Sequence, residues 1–206
     1  MTVLYVPDTL FPHTKDLEIP KLDITKQAKF YNLPIRGWDS TSRRGRFRGT
    51  WHFYVDDRKF TALWKHPESI LKTKAISCVE CNFSTDYQMP YPVVLYRVFQ
   101  KRWLARYWQE CGLEIFVDLN VADNDNWYKL NFEGVPKGWR SYATSASSSR
   151  LEVLQRQADI AKYHAEGEKL RFLVYGGGKK VAEMCAENDW VHVRDARNES
   201  RENIDG

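Results

Sequence analysis

The stretch HFYVDDRKF, residues 52–60, sets Asp56 and Asp57 side by side after an aromatic and β-branched run. Adjacent carboxylates at a strand end are one way to build a two-metal centre, and a palm-type polymerase writes its metal-binding turn with similar residues. Such a polymerase needs a hairpin at the pair and another carboxylate on an upstream strand. Here the residues after Asp57 carry helical spacing, and the residues before Trp51 offer no such strand. The pair therefore reads as a strand-to-helix turn in which Asp56 or Asp57 caps the helix that follows.

The functional reading of the same pair comes from its position. In parallel α/β sheets, ligands bind beyond the carboxyl ends of the strands. Those ends carry Asp56 and Asp57, Ser84 and Asp86 from FSTD, Asp118 and Asn120 from VDLN, Ser145 and Ser147 from TSASS, and Gly176, Gly177 and Gly178 from VYGGG. Asp56, Asp57 and Asp86 are the candidate catalytic carboxylates. Asp56, Asp86 and Asp118 are the candidate ligands of a divalent cation, Mg or Mn. The run Gly176, Gly177, Gly178, Lys179, Lys180 lets backbone N–H groups and two ammonium groups approach an anion. It lacks the spacing of a P-loop or a dinucleotide fingerprint, and a tight turn explains the glycines as well.

A second chemistry is cationic. Residues 1–50 hold nine Lys/Arg against five Asp/Glu, while the rest of the chain is balanced, so the net charge of +4 belongs to this segment. Arg43, Arg44, Arg46 and Arg48 cluster in SRRGRFRGT, and Arg102 and Arg106 form an i,i+4 pair on a long aromatic helix. Together they would hold the phosphates of a nucleic acid while aromatic rings stack on bases. Ordinary solvated and amphipathic surfaces account for both groups equally well.

The elements that must position these residues alternate. Strand-like runs WHFYVDD, AISCVECNFS, LEIFVDLN, WRSYATSAS, LRFLVYGGG and WVHV are separated by helical patterns over residues 58–74, 93–111, 148–167 and 179–188. This predicts a single α/β domain, with a mainly parallel sheet, open or a partial barrel, and flanking helices. Residues 1–50, rich in Pro, predict an extended basic arm wrapped over the domain rather than a separate unit; residues 51–193 the domain; residues 194–206 a polar tail. CVEC lies in a strand-like stretch where Cys78 and Cys81 face opposite sides, and with Cys111 and Cys185 they read as reduced thiols. No apolar run is long enough to span a membrane and no leader is evident, which predicts a cytoplasmic protein.

The succession WHFYVDDRKFTALWKHPE, CNFSTDYQMPYPVVLYRVFQKRWLARYWQECGLEIFVDLN, FEGVPKG and LVYGGG, over roughly residues 50–190, resembles the domain of unknown function forty-four seventeen. The resemblance rests on the Phe-x-x-Asp-Asp strand end, the Phe-Ser-x-Asp turn with its Met-Pro, the arginine-aromatic helix and the later Tyr-Gly turn. It implies a phage or mobile-element protein, placed in the cytoplasm of a bacterial host cell, and brings no activity with it. The expected function is engagement of nucleic acid by the basic arm, with metal-assisted phosphodiester chemistry at the acidic strand ends. The alternatives are a non-catalytic module binding a host or viral protein, and an enzyme acting on a phosphorylated small molecule.

Overall fold

The computed structural model describes residue 7 and residues 9–39 and 47–195. Seven strands, β1 (Ile35–Gly37), β2 (Thr50–His52), β3 (Ser77–Val79), β4 (Glu114–Asp118), β5 (Ser141–Ser145), β6 (Arg171–Tyr175) and β7 (Val191–Val193), form one sheet. Each pairs in parallel with its neighbours in chain order. The sheet curls strongly, since the rings of His52 on β2 and Tyr175 on β6 lie 4.4 Å apart although three strands separate them in the order. The result is a nearly closed barrel with helices outside it.

Alternation along the strands divides the core in two. Trp51, Phe53, Cys78, Ile115, Val117, Tyr142, Phe172 and Val174 point outward and join Trp103, Leu104 and Trp108 of the helical layer. Tyr54, Val79, Phe116, Ala143 and Leu173 point inward and fill the barrel with Ala28, Tyr31, Ile35, Tyr175 and Val193. Side chains, not solvent, occupy the lumen, as parallel barrels of this size require.

Helix α1 (Tyr91–Glu110) follows Pro90 and carries Pro92 in its first turn, where a missing N–H costs no helical hydrogen bond. Helices α2 (Asp125–Asn131), α3 (Leu151–His164) and α4 (Gly178–Glu187) fill the later crossovers. Two sequence expectations are corrected. Residues 58–74 are not one helix but part of three short 3-10 segments, Asp57–Lys59, Thr61–Trp64 and Pro67–Thr73. Spacing of three residues satisfies the burial of Phe60 with Leu63 and of Ile70 with Thr73, and Pro67 cannot donate to a continuous α-helix. The Pro-rich beginning also supplies the sheet's first strand, and Ile19, Leu22, Ala28 and Trp38 are buried against the domain.

The four cysteines are free thiols, and burial pushes those of Cys78 and Cys81 far up, so the C-x-x-C pair is packed core. No helix among the described residues is long and apolar enough to cross a membrane.

Candidate functional site

Because every strand runs the same way, all the strand ends singled out in the sequence open on one face, the C-terminal mouth of the barrel. Asp56 stands at its rim, exposed, and caps the first 3-10 segment by accepting from the Arg58 backbone N–H at 3.0 Å. Its second oxygen takes the Arg58 guanidinium at 2.7 Å, and these bonds hold the carboxyl down to about 2. Asp57 instead ties two loops together, accepting from the Ser84 backbone N–H at 3.1 Å and its hydroxyl at 2.9 Å. Asp86 is exposed and accepts from the Gln88 backbone N–H at 2.8 Å.

Asp118 lies below the mouth, 1% exposed, and accepts from the Tyr54 hydroxyl at 3.0 Å and from Lys101 at 3.3 Å. Burial pushes its carboxyl up, while the Lys101 ammonium pulls the other way. Asp56, Asp86 and Asp118 thus serve three different partner sets. No three His, Cys, Asp or Glu side chains among the described residues are grouped to hold a metal ion.

The basic residues separate as well. Arg43, Arg44 and Arg46 lie outside the described residues; Arg48 is exposed. Arg102 is fully buried, paired with Glu80 and donating to the carbonyls of Asn131 at 2.6 Å and Glu133 at 3.1 Å. That position removes it from any surface a phosphate can reach, a correction to its expected role. Arg106 pairs with Glu110 at 2.5 Å, and its guanidinium sits over the Phe11 ring. Gly176, Gly177 and Gly178 follow β6 at the mouth with φ of 78, 81 and 69°. Lys179, exposed, faces Glu183 at 3.8 Å, and Lys180 is exposed beside it.

Sequence reasoning missed a buried charge cluster. Glu80, just past β3, binds Arg102 with one oxygen and accepts from the Asp118 backbone N–H with the other at 3.1 Å. Lys101 also donates to the Asp118 carbonyl, and Asn131 reaches the same carbonyl at 2.9 Å. Two acids and two bases therefore fasten α1 to the ends of β3, β4 and α2. The signal lay in the run Gln100, Lys101, Arg102, all buried, on a helix whose burial is not confined to one stripe.

Beside this cluster the mouth opens into a cleft along the ends of β3, β4 and β5. One compartment, of about 210 Å³, is lined by Asn120, Ser145, Ser147, Arg150 and Gln157 among others. Its neighbour, of about 260 Å³, adds Asn82, Thr85, Asp86 and Tyr87 and shares Asn120, Val121 and Arg150. Tyr87, 56% exposed, takes a 3.4 Å hydrogen bond from the Arg150 guanidinium, and Tyr91, 46% exposed, opens α1 with its ring 6.0 Å from that of Trp127. None of Asn82, Tyr87, Tyr91 or Arg150 was singled out from the sequence, where each is an isolated polar or aromatic residue in a loop or at a helix end.

The family described as "Domain of unknown function (DUF4417)" matches residues 11–163. Among curated proteins, the chain is 28% identical over 165 residues to the "Gene 1 protein" of Mycobacterium phage D29, an alignment covering 78% of this chain and 58% of that one. It is 31% identical over 134 residues to the "Gene 1 protein" of Mycobacterium phage L5, covering 62% of this chain and 56% of the relative. The matched region thus spans somewhat over half the length of each relative. No solved structure matches.

Proposed function

This chain belongs to the family of unknown function (DUF4417), whose relatives here are phage proteins, and we propose that it engages nucleic acid through the C-terminal mouth of its barrel. The observation that carries the reading is the pairing of Tyr87 and Arg150 beside a cleft rich in amides and hydroxyls. Exposed aromatic faces stack on unpaired bases, an arginine holds phosphate, and amides read base edges or sugars. Strand β1 also ends on this face, at Gly37, and the sequence beyond it carries Arg43, Arg44 and Arg46, which lie outside the described residues.

The proposal is one of binding. Phosphodiester hydrolysis at Asp56, Asp57 and Asp86 would need those carboxylates to act together, and the arrangement above gives each its own structural partner. A protein-binding role draws on a different feature, the exposure of Phe30 and Leu33, each 71%.

Binding of labelled single- and double-stranded DNA and RNA across a salt series separates these readings. Phosphate contacts predict affinity that falls steeply with salt, and loss of affinity in Arg44→Glu, Arg46→Glu and Arg150→Glu. Each lost phosphate contact should lower the salt slope by about one. Absence of binding at low salt would overturn the proposal. Strand integrity followed in the same samples, with and without Mg or Mn, reports whether binding leads to cleavage.

A further inference from the structure

The two compartments of the cleft differ in charge, and the difference points to a ligand with two chemically distinct ends. Among the described residues the only ionisable one lining the β5 compartment is Arg150; the polar remainder is Asn120, Ser145, Ser147 and Gln157. A pocket with a cation, hydroxyls and amides, and no carboxylate, favours an anion whose oxygens accept several hydrogen bonds. The β3 compartment instead offers Asn82, Thr85 and Asp86 beside the ring of Tyr87. Its mixed donors and acceptors suit sugar hydroxyls and the edge of a base.

The floor of the cleft is held in place. Asn120 donates its backbone N–H to Asp118 at 3.0 Å and its side-chain amide to Asn82 at 3.2 Å. Gln157, 2% exposed, is fixed by Thr144 at 2.7 Å and the Leu119 carbonyl at 3.1 Å, and Thr85 accepts from the Ala122 backbone N–H at 3.1 Å. Arg150 is different. Its guanidinium is exposed and donates at 3.4 Å to Tyr87, with Asp123 and Glu152 acting on it at longer range, so it can turn into the cleft without breaking an ion pair seen among the described residues. Preformed polar groups lower the ordering cost of capturing an anion, leaving one side chain, Arg150, to be ordered on binding.

We infer that this cleft binds a nucleoside monophosphate unit, with its phosphate in the β5 compartment against Arg150 and its sugar and base in the β3 compartment against Tyr87. The inference rests on the nucleic-acid reading of the same face and narrows it to a phosphomonoester. Such a group comes either from a free nucleotide or from the phosphorylated end of a strand, and the two sources share the chemistry read here.

Titration calorimetry of the full chain tests it, using the four nucleoside 5′-monophosphates, the matching nucleosides, and a short single strand with and without a 5′-phosphate. The monophosphates should bind at least about tenfold more tightly than the nucleosides, a step that one charge-assisted contact supplies. Arg150→Ala should abolish that preference. Asn120→Asp, which sets a carboxylate in the cleft, should reverse it. The phosphorylated strand should share the preference if strand ends are a source; restriction to free monophosphates would assign the cleft to small nucleotides and count against the strand-binding reading alone. If strands bind but neither monophosphates nor a 5′-phosphate improve on their unphosphorylated counterparts, the inference is overturned and the broader reading stands. Equal binding of nucleosides and monophosphates, or no binding of either, also overturns it.

Discussion

Protonation of His52 would place a charge where the structure has no room for it. The ring is 3% exposed, accepts from the Tyr54 backbone N–H through Nδ1 at 3.3 Å, and packs against Tyr175. Burial pulls its pKa down from 6.5 to about 4, with Asp195 opposing the shift. Because the folded value lies below the unfolded one, the unfolded chain takes the proton first as pH falls. The contribution is complete above about pH 6.5 and is lost progressively toward pH 4, by on the order of 3 kcal/mol for this group. Urea midpoints at about pH 7 and about pH 4.5 should therefore diverge more in the wild type than in His52→Gln; equal divergence would show that other groups carry the acid sensitivity. His52 also shows how unevenly single residues could be read from sequence. Asp56 was legible as a cap, because its role is local and needs only Arg58. His52, Glu80 and Lys101 were not, since their partners lie 123, 22 and 17 positions away, on Tyr175, Arg102 and Asp118. Arg102 was misread for the same reason: an i,i+4 basic pair looks like surface unless Glu80 is known to wait beneath it.

At the level of elements, legibility followed length and the strength of the stop signals. Helices α1 and α3 were plain from their spacing and from Gly112 and Gly167 beyond their ends, both at positive φ. Strands β3 to β7 were plain from their apolar runs. Strand β1 has only three residues after Pro34, and α2 only seven, too few for a period to show. The turn into α4 makes a sharper point, because sequence left its glycines open between anion binding and geometry. At Gly177 a Cβ would meet Val181 Cγ2 at 2.4 Å, on a backbone with φ of 81°. At Gly178, φ is 69° and a Cβ would meet open space. Gly178→Ala should cost about 1–2 kcal/mol, the ordinary penalty for a side chain in the left-handed region. Gly177→Ala carries that penalty and the clash with Val181, so it should cost more. Denaturant unfolding of the two variants measures the difference. Equal costs would mean that the helix shifts to relieve the contact.

For the whole molecule, the decisive question is where the folding unit begins. The compositional break at Trp51 suggested an arm wrapped over a domain, and the chain before that break closes the barrel from below. Ala28 donates its backbone N–H to the Ile115 carbonyl at 2.9 Å and accepts from the Ser141 hydroxyl at 2.5 Å, and Gln27 accepts from the Arg140 backbone N–H at 2.8 Å. Tyr31 stacks on Phe116 inside the barrel with ring centroids 5.9 Å apart. Ile19 and Leu22, 0% and 3% exposed, each contribute about 1.5–3 kcal/mol by burial, against a typical domain stability of about 5–15 kcal/mol. Removing them together with β1 takes away much of that margin and uncovers the inner faces of β2 and β4. A chain starting at Trp51 should therefore lack a cooperative urea transition and a near-ultraviolet signal from its aromatic core, whereas a chain starting at Thr9 should keep both. Cooperative unfolding of the shorter chain would establish the first fifty residues as a separable arm. It would also free the mouth of the barrel to bind its ligand without them, so the titrations with nucleotides should be repeated on that chain.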